Sequence, residues 1–155
     1  MKIFKSLIIL LFVVIGAFGE ERILLNYGVD KCQFCGMIVK SEKFGSIGIT
    51  NENKKITFCS IECAVAYYIL NKDKIKEIKV PNFLNPSEFI NASDAYFLKS
   101  DKIKTMMGMN LSAYKSIEEA TKMKNEKGGE IYNWKEVQEL INKEFLPRFE
   151  SKHHH

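Results

Sequence analysis

Four cysteines carry the chemistry open to this chain. Cys32 and Cys35 lie in Asp30-Lys31-Cys32-Gln33-Phe34-Cys35-Gly36-Met37, and Cys59 and Cys63 lie in Phe58-Cys59-Ser60-Ile61-Glu62-Cys63. A C-x-x-C turn makes two sulfurs converge, and a glycine after it accepts the backbone turn that such a metal knuckle needs. The second pair, four residues apart, shares one face of a helix's first turn. Backbone N–H groups and the positive helix end there favour thiolates, so low pKa values are expected for Cys59 and Cys63. Twenty-three residues separate Cys35 from Cys59, and a hairpin of that length would return the second pair to the knuckle. The spacing therefore points to a four-sulfur metal site. Three alternatives stand beside it: a structural zinc site used for protein-protein interaction, two structural disulfides, and a thiol oxidoreductase. A redox pair is expected at the head of a helix in a thioredoxin-like unit, whereas Cys32 precedes a hairpin.

Composition narrows the remaining chemistry. The three histidines are His153, His154 and His155, so the body of the chain has no imidazole for general-base catalysis or metal ligation. At 46% hydrophobic and 27% charged residues, the composition is globular rather than disordered. The net charge of +4 falls to +2 without Lys2 and Lys5, too small a surplus for a nucleic-acid surface.

Lys2 and Lys5, the apolar run 6–18 and the small residues Ala17 and Gly19 together predict a secretory signal over 1–19. The run is short of the roughly 20 residues needed to span a bilayer, so no stable membrane span is expected after cleavage. No cysteine near the cut offers itself for lipid attachment. An exported, periplasmic protein is the expectation, and an oxidising compartment keeps the disulfide alternative open.

The elements that must position the cysteines follow from periodicity. Alternation over 44–50, with Ile47 and Ile49 on one face, and a second run over 54–58 make a hairpin around the turn 51–53. Ser60 N-caps a helix with Ile61, Val65, Tyr68 and Ile69 on one face, ending near Asn71. A strand over 75–80 precedes Pro81 and Pro86. In the second half, strands over 95–98 and 110–114 lead to a capping box at Ser116 and Glu119. That helix runs to Lys127 and stops at Gly128-Gly129. A strand over 130–132 follows, and Asn133 caps a last helix with Trp134, Val137, Ile141 and Phe145 on one side, closed by Pro147. The expected class is α+β: two similar small ββαβ units packed together, over 20–90 and 91–148, with a tail at 149–155. The first carries a treble-clef-like cysteine knuckle. Units of that size seldom bury enough apolar area to stand alone.

Metal identity turns on ligand softness, because thioether sulfur binds Cu(I) well and zinc poorly. Met37 follows the knuckle, and Met106, Met107 and Met109 cluster in the second half. Methionine also fills gaps in cores, and the residues by themselves leave copper and zinc both open.

With Cys32-Gln33-Phe34-Cys35-Gly36-Met37 in view, the chain resembles the NosL family, accessory proteins of nitrous oxide reductase. The likeness continues through Phe58-Cys59-Ser60 before a helix, Ala95-Tyr96-Phe97-Leu98, Met107-Gly108 before a strand, and Gly128-Gly129 before Ile131. It implies a periplasmic Cu(I) metallochaperone, not an enzyme, that delivers copper toward the copper centres of nitrous oxide reductase with its ABC-type maturation complex. Carried onto this sequence, Cys32, Cys35 and Met37 match the family's cysteine–methionine motif, Cys59 its phenylalanine-cysteine-serine element and Met107 its methionine-glycine step. Three departures stand out. Members are typically lipoproteins, and many carry a histidine with a nearby methionine where this chain has Val80-Pro81-Asn82-Phe83. Cys63 is an addition relative to many members, and the Cys59 to Cys63 stretch is also similar to TRASH and YHS metal-binding modules.

Overall fold

The computed structural model describes residues 24–150. The expected signal segment, residues 1–19, lies outside the described residues, and no helix among them is long and apolar enough to cross a membrane.

The chain opens with a loop segment that holds the knuckle, then forms the hairpin β1 (Ser46–Thr50) and β2 (Lys55–Phe58), helix α1 (Ile61–Leu70) and strand β3 (Ile75–Asn82). The hairpin turn uses Asn53 at φ 61°, a left-handed position that asparagine tolerates well. Ser60 caps α1 by accepting the Cys63 N–H, and the helix stops at Asn71.

A fourth strand, β4 (Asn85–Asn91), pairs with β3, where the sequence suggested only two prolines after a strand. Both prolines fit for a physical reason. Sheet order is β2-β1-β3-β4, all antiparallel, so Pro86 lies near the start of an edge strand, where its missing N–H costs little. Pro81 lies past the last residue paired with β1, at a register shift against β4.

A short 3-10 turn, Ala92–Asp94, leads to β5 (Tyr96–Lys99), β6 (Leu111–Tyr114), helix α2 (Ile117–Lys127), β7 (Glu130–Tyr132), helix α3 (Trp134–Glu144) and the short helix α4 (Pro147–Glu150). The second sheet has the order β6-β5-β7. In both sheets the first strand of its run lies between the second and third. Gly129 holds φ 105°, and a Cβ there would run into the Lys99 carbonyl oxygen, so the double glycine is what lets β7 close against β5.

Helix ends differ in detail from expectation. Ser116 accepts the Glu119 N–H, but Glu119 does not complete the reciprocal arm, and its buried Oε2 has no hydrogen-bond partner among the described residues. The full capping box belongs to α3, where Asn133 and Glu136 exchange both bonds.

One core serves both halves. Phe58, Ile61, Val65, Ile78 and Val80 join Phe97, Leu111, Val137, Ile141 and Phe145 in a single buried cluster. The second sheet turns its other face, with Leu98 and Tyr114, to Ala120 and Met123 of α2. The first sheet turns its other face, with Ile47, to Leu25 and Val39 of the opening segment. The two sheets also touch through the backbone, where Phe83 N–H donates to Ala113 carbonyl at 2.8 Å.

Aromatic contacts tie the knuckle to the far end of the chain. Phe34, between the first two cysteines, lies 4.9 Å from Phe149 and 5.9 Å from Phe145, ring centroid to centroid. Edge-on and tilted pairs at such separations add to plain area burial. Phe145→Ala should therefore destabilise the protein by about 3–5 kcal/mol, as for other buried Phe→Ala changes. A matching fall in the denaturation midpoint at unchanged slope checks this.

Candidate metal centre

The knuckle is a turn closed by its own backbone. Cys32 N–H donates to the Met37 carbonyl at 2.7 Å and Gly36 N–H to the Cys32 carbonyl at 2.8 Å. Gly36 holds φ 79°, the left-handed conformation that glycine adopts without strain. The end of β2 fixes this turn in place. Gln33 N–H donates to the Thr57 carbonyl at 2.8 Å, and the Thr57 hydroxyl donates to the Lys31 carbonyl at 2.6 Å. Cys59 and Cys63 begin where β2 ends, on the capped first turn of α1.

The result is one cluster. The sulfurs of Cys32, Cys35, Cys59 and Cys63 all lie within 4.8 Å of one another. Cys35 and Cys59 are 3.5 Å apart, sulfur to sulfur, and Cys59 and Cys63 are 3.7 Å apart. All four are free thiols, since a disulfide would bring two sulfurs to about 2.05 Å. A tetrahedron of thiolates at about 2.3 Å from a metal has edges of about 3.8 Å, so the donor set and its spacing fit a metal ion. Cys32, Cys59 and Cys63 are buried, and Cys35 alone is partly exposed.

Crowding four thiols together redistributes their protons. The Cys32 thiol is pushed well down, chiefly by hydrogen bonds from Cys59 and Cys63, with help from the backbone N–H groups of Cys35 and Cys59. Cys59 and Cys63 are pushed up, above all by their bonds to Cys32 and then by the cluster's burial. This corrects the expectation that the helix start would lower the pKa values of Cys59 and Cys63. Once Cys32 carries the charge, its neighbours serve it best as S–H donors, and burial disfavours a second charge. The titration belongs to the cluster as a unit.

The methionines named from the sequence occupy other places. Met37 is 44% exposed, and its carbonyl, not its sulfur, closes the knuckle. Met107 is half-buried against the main core, which also receives Phe34 and Cys35. Met106 is exposed. Met109 is fully buried, and its Sδ accepts a contact from Arg148 Nη2 at 3.5 Å.

One residue beside the cysteines escaped the sequence reading. Glu62 is fully buried, and its Oε2 accepts from the Thr105 hydroxyl at 2.5 Å and from Met109 N–H at 3.0 Å. Burial raises its carboxyl above the usual range, against the opposing pull of those bonds. An acid in a helix's first turn ordinarily answers the dipole at a solvated surface. The available signal was the apolar run Ile61-Glu62-Cys63-Ala64-Val65-Ala66, which leaves Glu62 no polar face to sit on.

Comparison with curated proteins returned no match. Among solved structures, the chain is similar to that of the copper chaperone NosL from Shewanella denitrificans, with a TM-score of 0.62 and 24% sequence identity. The likeness covers 73% of this chain and 92% of that one, and it bears on the fold. The model of the NosL family matches residues 27–141, a span that contains both cysteine pairs and both sheets, and the chain belongs to the NosL family.

Proposed function

We propose that the protein is a copper-binding chaperone, a metal-binding accessory protein rather than an enzyme, which holds Cu(I) on its thiol cluster and passes it on. The observation that carries this reading is the convergence of four thiols within 4.8 Å in a chain of the NosL family. Soft thiolates select Cu(I) over harder ions. The relative from Shewanella denitrificans, described as a copper chaperone, supports the same assignment.

In this reading Cys32, Cys35, Cys59 and Cys63 supply the thiolates, with Met37 and Met107 as thioether ligands. Transfer proceeds by ligand exchange at the rim. A recipient sulfur forms a bond to copper as the bond to Cys35 breaks, and the freed thiolate takes up a proton. Copper keeps its oxidation state throughout. Cys35 suits this step because it alone of the four reaches solvent. The protein acts outside the cytoplasm after export, and its recipient is nitrous oxide reductase or the ABC-type complex that matures it. The two strand–strand–helix–strand runs are read as a duplicated ββαβ unit, the first joined to a treble-clef-like knuckle.

A second reading has its own support. Sulfur spacing near the tetrahedral edge and the burial of three cysteines suit a closed structural zinc site, used to present a protein-binding surface. In that case removing the metal would unfold the domain.

Competition of the reduced mature protein against a Cu(I)-specific chelator tests the copper reading. Cu(I) affinity well above that of an unstructured dithiol peptide is expected, and affinity no tighter than the peptide's would sink it. Met37→Ala should weaken Cu(I) binding and leave Zn(II) binding unchanged; equal behaviour toward both ions would remove Met37 from the ligand set. Protons compete with the metal, and the raised thiols of Cys59 and Cys63 are protonated at neutral pH. Metal loading should therefore release at least the protons of Cys59 and Cys63, so the logarithm of affinity should climb with pH at a slope of about two or more from pH 6 to 8. Titration in weak buffer with a pH indicator reads the proton count directly.

A further inference from the structure

Glu62 has a fully buried carboxyl group, set in the chain between Cys59 and Cys63, and its Oε2 is turned toward a loop. The Thr105 hydroxyl that donates to Oε2 also accepts Asn110 N–H at 2.8 Å. The Asn110 side-chain oxygen in turn accepts Thr105 N–H at 3.1 Å. Gly108 at φ 82° and Asn110 at φ 59° complete a tight ring over residues 105–110. Glu62 is its outside anchor, gripping it at both Thr105 and Met109. Oε1 has no partner among the described residues.

Burying a carboxyl group with one oxygen lacking a hydrogen-bond partner is costly, whether as lost hydration of the charge or as a raised pKa. An apolar residue would fill the same space at less cost, so stability alone is a poor reason for an acid here. The loop carries Met106, Met107 and Met109, and Met107 packs on the core that also receives Cys35.

We propose that Glu62 is a positioning residue for copper: its carboxylate latches the 105–110 loop to the first turn of α1, so that the Met107 thioether is held where it joins the thiols in binding Cu(I). This rests on the copper reading above. Zinc, which gains little from a thioether, is indifferent to the latch.

Glu62→Ala would empty a buried site between two cysteines and risks the fold, so the latch is better opened from the loop side. Thr105→Val removes the hydroxyl, keeps the shape and leaves α1 untouched. Thr105→Val, Met107→Ala and the double variant, each in the reduced full chain, form a double-mutant cycle read by competition with a Cu(I) chelator, with Zn(II) affinity measured in parallel. Each single change should weaken Cu(I) roughly tenfold and the double no more than the worse single, because both remove the same interaction. Zn(II) affinity should stay within about twofold, and Glu62→Gln, which keeps an acceptor oxygen for the loop, should stay within about threefold of wild type for Cu(I). Additive losses approaching a hundredfold, or equal losses for both ions, would show a merely structural contact and overturn the latch. If wild type itself holds Cu(I) no better than a dithiol peptide, the copper reading falls and the latch with it. If wild type binds and the cycle is additive, the latch alone falls.

Discussion

The start of α1 is buried on every side, from Ile61 through Ala66, and a buried helix start must satisfy its free N–H groups and polar side chains from within the protein. The molecule meets that demand in three directions. Ser60 takes up the Cys63 N–H. Glu62 reaches into the second half and takes a hydroxyl and a backbone N–H from the 105–110 loop. Cys59 and Cys63 face Cys32 and Cys35 and share protons with them. A single helical turn thus joins the knuckle, the first sheet and the second half, and the metal centre lies at that junction rather than on a free-standing finger.

Size makes the junction necessary. Neither half, at roughly 60 residues, buries enough apolar surface to be comfortably stable by itself. The structure answers with one core drawn from both, in which α1 packs against α3 and Phe34 of the knuckle meets Phe145 and Phe149. Thiols placed against such a core are held at fixed separation before any metal arrives. Pre-organised ligands of this kind lose little entropy on binding. They also leave a path for exchange, since Cys35 stays at the edge while its three companions are covered.

Much of the local architecture could be read from residue patterns, because it rests on short-range rules. The hairpin turn at 51–53, the Ser60, Ser116 and Asn133 caps, and the glycine stop after Lys127 all appear where those rules place them. Strand β4 did not, since Pro86 reads as a strand breaker until the strand is known to lie at a sheet edge. The residue pattern places a capping box at Ser116, where the Glu119 side chain instead turns its Oε2 inward, and the full form belongs to Asn133. Periodicity marked one apolar face on α1, whereas the first six residues of the helix are covered all round. Neighbours distant in sequence, from β6 and α3, supply that cover.

By itself, the sequence determined the ligand types, their pairing as Cys32 with Cys35 and Cys59 with Cys63, and the absence of any imidazole from the body of the chain. These follow from spacing and composition, which no fold can alter. Only the tertiary structure decided that the two pairs meet, that the thiols of Cys32, Cys59 and Cys63 titrate as one coupled cluster, and that a buried Glu62 grips the methionine loop. Each of those depends on contacts between residues 24 to 47 positions apart in the chain, formed only when both halves close on one core.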